Sequence, residues 1–293
     1  MSGHAFHASI RTWLVCGALL GGLACATPPP AAPPQMPPAA GPLEYSFSYT
    51  PEPETEKLSA TLGMVSPQVA IRTTAVDNTF DASAVQALYA KSLLSDFNAV
   101  LIAKGYGVTG PYDSIDDMTF GEKQRASLVL VPTVTLDVAF TDGGAAPFST
   151  IRSATGQHHG NFQVHRATQY SRIPTRVTVN GFIELVLYEP LSEQKMWVKK
   201  IEVPFQSVDS VYYRADSRDF YFATVGEAVT GRGRVVGSAQ EIPPQYDQRP
   251  HAVAQVLQGA YEPQLSQFSR YFDPQEITHV MTEAEEARSR ARF

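Results

Sequence analysis

Two adjoining runs of strict two-residue alternation constrain this chain more than any other feature. From Arg176 to Tyr188, the residues Val177, Val179, Ile183, Leu185 and Leu187 fall on one face. The turn-forming stretch Glu189-Pro190-Leu191-Ser192-Glu193-Gln194 follows. Met196 to Phe205 then returns with Trp197, Ile201, Val203 and Phe205 on one face, and with Lys199 on that face near its end. Period-two patterning builds a sheet with one apolar side, and so short a connection allows only antiparallel pairing. The result is a long hairpin whose apolar side must be covered by something else.

The cover is legible in two helical patterns. After Asp81, placed as an N-cap, Val85, Leu88, Tyr89, Phe97, Val100 and Leu101 recur at helical spacing until Gly105 closes the run. Near the other end, Val253, Val256, Leu257, Ala260, Tyr261, Leu265, Phe268 and Tyr271 do the same, with Pro263 expected to kink or split the helix. The charged residues from Thr282 onward read as a solvated helix. Further strands are expected at 44–49, at 61–72 and at Ser127–Val131. The last continues through Thr133–Phe140, with a bulge or break at Pro132. Strands in hairpins with helices on one face define an α+β domain with a mainly antiparallel sheet.

The N-terminal part is of another kind. Arg11 precedes an apolar run that ends in small residues at Cys25, the pattern of an export signal over residues 1–24. Cys25 after Leu23-Ala24 reads as a lipidation site, so that the mature chain begins on an acylated cysteine; the other reading is a plain secreted chain cut near Ala26. Two or three acyl chains would anchor the protein durably in a bilayer. Ala26, where Asp would mark inner-membrane retention, favours the outer membrane and leaves open which side is faced. Residues 26–42 hold eight prolines among seventeen residues and no charge. Extended at about 3.1 Å per residue, they would form a stalk of some 50 Å. Residues 25–42 are thus linker, and 43–293 a single α+β domain.

Cys16 and Cys25 are the only cysteines, and the first lies in the signal, so neither a disulfide framework nor a cysteine-based metal site can form. A formal net charge of −6 gives no argument for a nucleic-acid partner.

The run Lys104-Gly105-Tyr106-Gly107-Val108, the acidic loop through Asp117, and the stretch from Phe120 to Leu130 resemble the neuraminyllactose-binding haemagglutinin family of bacterial lipoprotein adhesins. So does the hairpin from Gly181 to Ser192. The resemblance extends over roughly residues 43 to 290 in the order of elements. It implies an outer-membrane or surface lipoprotein and, more loosely, binding of sialylated glycans. That family is credited with a short Lys/Arg-rich motif after the central strand. Here the corresponding stretch, Phe140 to Pro147, has no basic residue, so no sialic-acid contact carries over.

A different basic region stands in. From Gly143 to Ile183 there is no acidic residue, while Arg152, Arg166, Arg172 and Arg176 are present. Arginine forks suit carboxylates and phosphates, so these four are the candidate ligand-binding residues; residues 141–172, which hold the first three, also read as a long irregular loop. His158, His159 and His165 lack metal-site spacing and read as surface histidines. Arg232 and Arg234, in a Gly-rich loop, read as additional anion contacts. Tyr212, Tyr213 and Tyr221 read either as a sugar-stacking groove or as packing against the hairpin. Asp113, Asp116 and Asp117 read as a turn capping a short helix near Phe120. No catalytic motif, metal or cofactor is indicated. The sequence therefore points to an outer-membrane, lipid-anchored, non-enzymatic binding module for an anionic glycan. The alternative is a structural envelope or appendage component with a protein partner.

Overall fold

The computed structural model of the chain describes residues 35–43, 57–74 and 80–290. Cys25, the signal and the strand expected at 44–49 lie outside them. The body is one mixed sheet. β1 (Thr61–Val65) and then β2 (Gln68–Thr73) run parallel along one side of β4 (Leu128–Asp142), and β3 (Gly107–Tyr112) lies parallel outside β1. On its other side β4 pairs antiparallel with β6 (Phe162–Tyr188), which pairs with β7 (Lys195–Tyr221) along nearly its whole length. β5 (Ala146–His159) pairs with the first half of β6, and β8 (Arg234–Glu241) with the last part of β7. The α+β class with a mainly antiparallel sheet is therefore as expected.

Several local expectations are corrected. β4 runs through Pro132 without a bulge, because the strand beside it is itself interrupted there: Met64 pairs with Leu130, and Gln68 resumes at Thr133. A residue lacking an N–H is tolerated where the neighbouring ladder breaks. The irregular loop expected over 141–172 is instead the end of β4, a three-residue link, β5, a turn, and the start of β6. Both faces of this segment meet water, so no apolar alternation marked it as strand. Phe205 is 71% exposed rather than inward. One extra residue on β7 between Val203 and Gln206 opposes Asn180, and such a bulge reverses the alternation beyond it.

Three helices cover one face. α1 (Ser83–Ala103) buries Val85, Tyr89, Leu93 and Phe97; α4 (Arg249–Tyr271) buries Val253, Leu257, Leu265 and Phe268. Phe97 stacks on Phe268 with ring centroids 4.0 Å apart. Each such buried side chain contributes about 1.5–3 kcal/mol. Asp81 works one residue outside the expected cap: its Oδ1 accepts the Ser83 N–H at 2.9 Å, which holds its carboxyl below the usual range. Gly105, at φ 88°, lets the chain leave α1 with the Tyr106 N–H donated back to Leu101 O. α4 continues through Pro263, and the chain breaks only before Pro274. α2 (Phe120–Arg125) is capped by Thr119 and Glu122 in a reciprocal box, not by the Asp cluster. Among the described residues no helix is long and apolar enough to cross a membrane.

α5 (Pro274–Arg290) is not merely solvated: Ile277, Val280 and Ala284 are buried. Its end is latched to the β6–β7 turn, where Glu189, fully buried, accepts Arg288 Nε at 2.8 Å and the Ser192 N–H at 2.6 Å. Burial pushes the Glu189 carboxyl up, but donors from Ser192, Arg288 and Leu191 outweigh it and hold the group below its ordinary value. A carboxylate depressed on folding stabilises above its unfolded pKa, about 4.3, and loses that contribution as pH falls through the folded value. The thermal midpoint should therefore drop more steeply from about pH 5 to about pH 3 in the native chain than in Glu189→Gln. Equal slopes would remove Glu189 from the acid response.

The end of the proline-rich segment is not free stalk. The Ala40 N–H donates to Gln245 O at 2.7 Å, and His251 Nε2 lies 3.3 Å from Pro42 O. Pro37 is buried, and Leu43 packs on the main core. Residues 26–34 lie outside the described residues.

Candidate functional site

Beyond the helices, β5, the first half of β6, the second half of β7 and β8 form a four-stranded antiparallel arm. Directly opposed residues in such a sheet share a face. On the face continuous with the helix-covered core, one transverse row reads Thr150, Gln169, Asp216, Gln240. The next row toward the tip reads Arg152, Ala167, Arg218, Ser238. All of these residues except Arg152, together with Ser217 and Ala239, line a groove of about 630 Å³ with no apolar side chain larger than alanine.

The groove carries fixed polarity. Asp216 Oδ1 accepts from Gln240 Nε2 at 2.8 Å, and its other oxygen lies 3.4 Å from Arg214 Nε. Arg152 and Arg218 stand on strands two apart, about 9.5 Å, with only Ala167 between them. Neither has an ion pair among the described residues. α3 (Val225–Thr230), joining β7 to β8, ends beside this site, since a side chain added at Gly231 would lie 3.9 Å from Arg152 Nη1. Two unpaired guanidinium forks across a small residue suit an anion, and the amide and hydroxyl row beside them suits a polyhydroxylated body.

The four arginines expected to act together are divided by the sheet. Arg152 is on the groove face; Arg166, Arg172 and Arg176 are on the other. Arg166 forks onto Asp219 with bonds of 2.7 and 2.9 Å, and the Asp219 carboxyl is held low by that bond. Arg176 Nε pairs with Asp209 at 3.0 Å. Arg172 has no ion pair among the described residues; with Arg176 it lines a second depression of about 560 Å³. Two of the four arginines, Arg166 and Arg176, are thus neutralised by acids of β7, while Arg152 and Arg172 keep their charge unpaired among the described residues.

The remaining candidates pack. Tyr212 is buried over the Arg249 guanidinium, 4.4 Å from it, and donates to Asp142 at 2.8 Å. Tyr213 packs on Phe148 from the other face. His159 and Phe162 stack on Tyr221, and His165 lies against Phe220 and Phe222. Arg234 belongs to β8 rather than to a loop and pairs with Glu227 at 3.0 Å, while Arg232 is exposed. Arg218, Asp216, Gln169 and Gln240 were not singled out in the sequence. Nothing local marks them; only the strand register sets them side by side.

The fold and groove define a class: an α+β sheet-and-helix module with an extended β arm carrying a polar, cation-edged groove. No family model matches the chain, and no curated protein matches it. Among solved structures, that of a neuraminyllactose-binding hemagglutinin homolog from Helicobacter pylori is similar with a TM-score of 0.50. It covers 83% of this chain and 99% of that one at 16% identity. The likeness is one of fold.

Proposed function

We propose that this chain is an outer-membrane lipoprotein, held by acylated Cys25, whose arm binds an anionic oligosaccharide without catalysis. The observation that carries the reading is the juxtaposition of Arg152 and Arg218 with the row Thr150, Gln169, Asp216 and Gln240. The two forks take the carboxylate or other anionic group. The amides, hydroxyls and anchored Asp216 exchange hydrogen bonds with sugar hydroxyls. The fold likeness to a hemagglutinin homolog is compatible with a glycan ligand. Glycoside hydrolysis uses two carboxyls flanking the scissile bond, and the two rows hold one, Asp216.

The test is a glycan panel of sialylated, sulfated and neutral oligosaccharides presented to the full chain in detergent. Anionic members should bind, and Arg218→Ala and Arg152→Ala should each weaken binding about 10- to 100-fold, the loss of one charge-assisted contact. Arg172→Ala, on the opposite face, should change nothing. Equal binding of neutral and anionic glycans, or equal damage from Arg172→Ala, would overturn the assignment of the groove. External protease on intact cells reports which side of the membrane is faced; protection there would exclude an adhesin role.

A further inference from the structure

The arm has two free edges. Among the described residues β5 pairs only with β6, and β8 only with β7. Unpaired edges invite another chain unless lysine, proline, inward charges or bulges block them; here the bulges leave residues 149–154 of β5 and 237–241 of β8 as regular edge. β5 is fourteen residues long, has no lysine, and carries Arg152 as its one acidic or basic side chain apart from the histidines at its end. Its proline, Pro147, stands at its very start. β8 has no proline or lysine, and its charges, Arg234 and Glu241, occupy only its two ends.

Strand number supplies the second observation. The arm holds four strands in unbroken antiparallel alternation, in the order β5-β6-β7-β8. With an even count, β5 of the next copy continues the alternation beside β8 while both arms point the same way. Closed rings of more than two copies need that head-to-tail relation; an odd count would have forced a parallel joint. On β8 itself two apolar side chains are exposed, Val235 at 61% and Val236 at 45%. On the β5 side Phe148 is 36% exposed.

We propose that copies of this chain associate head to tail, β8 of one pairing antiparallel with β5 of the next, to form a closed ring of arms. Edge pairing supplies main-chain hydrogen bonds and covers the exposed valines, while both faces of the arm remain free. This inference stands on the edges and not on the groove, so it survives or fails independently of glycan binding.

The experiment uses the full chain in detergent at micromolar concentration, with mass from light scattering and native mass spectrometry. One discrete oligomer larger than a dimer is expected, and Val236→Lys, a charge placed on the edge, should reduce it to monomer with an unchanged circular dichroism spectrum. The double variant Ser153→Cys/Gly237→Cys joins positions that share one transverse level of the arm, through Arg166 and Asp219. Oxidised, it should give a ladder of covalent multimers ending at the ring size. A monomeric native chain, an oligomer unaffected by Val236→Lys, or covalent dimers from Gly237→Cys alone (the mark of a two-fold β8–β8 joint) would each overturn the proposal.

Discussion

Arg249→Ala should lower the unfolding free energy by about 3–5 kcal/mol, the loss typical when one partner of a buried ion pair is removed. Arg249 is only 2% exposed, in the first turn of α4. Its Nε and Nη2 fork onto Asp247 at 2.9 and 2.7 Å, and its guanidinium lies 4.4 Å from the Tyr212 ring centre, 5.3 Å from that of Phe140 and 5.8 Å from that of Phe80. It thus joins a helix to β4 and β7 where the helix-covered body gives way to the arm. Truncation would leave Asp247, also buried, as an unmatched carboxylate and remove the aromatic contacts with it. Lysine would fare little better, since it has neither the planar fork nor the stacking surface. Because replacing both charges by apolar groups is often neutral, Arg249→Leu with Asp247→Ala should recover part of what Arg249→Leu alone loses. Urea unfolding of these variants checks the claim; a loss under about 1 kcal/mol for Arg249→Ala would show that the pair is not needed.

Gly181→Ala should be nearly as damaging, at about 3 kcal/mol or more. Gly181 lies in the middle of β6, opposite Leu136 and beside the β7 bulge. A Cβ there would overlap the Thr135 carbonyl oxygen and sit 3.0 Å from Leu136 Cα. Both obstacles are backbone, so no side chain can swing aside; β4 and β6 would have to part along the central pairing of the sheet. Gly121→Ala in α2 is the control. Its added methyl meets nothing nearer than the Arg125 side chain at 3.8 Å, so it should be neutral or stabilising by up to about 1 kcal/mol. Equal midpoints for the two variants would mean that the sheet yields at Gly181.

Much of the body was readable because its signals are local. The apolar faces of β6 and of α1 and α4 follow from periods of two and 3.6 in adjacent residues, and those faces are buried as the pattern demands. The arm gives no such local signal. With water on both faces, its strands show no alternation, and polar Ser, Thr, Gln and His looked like loop. Phe205 was misplaced because a bulge inserts one residue without any mark at that position but Pro204.

What the sequence determined by itself is the class of fold and the faces of its long elements, since periodic burial acts between residues a few positions apart. Only the tertiary structure decided the site. Whether an arginine is spent or available depends on register between strands distant in sequence. Arg166 met Asp219, fifty-three residues on, and was neutralised; Arg152 came level with Arg218 across Ala167 and was not. A slip of one residue in the β6–β7 pairing would have put different residues on each face, because successive side chains of a strand point to opposite sides.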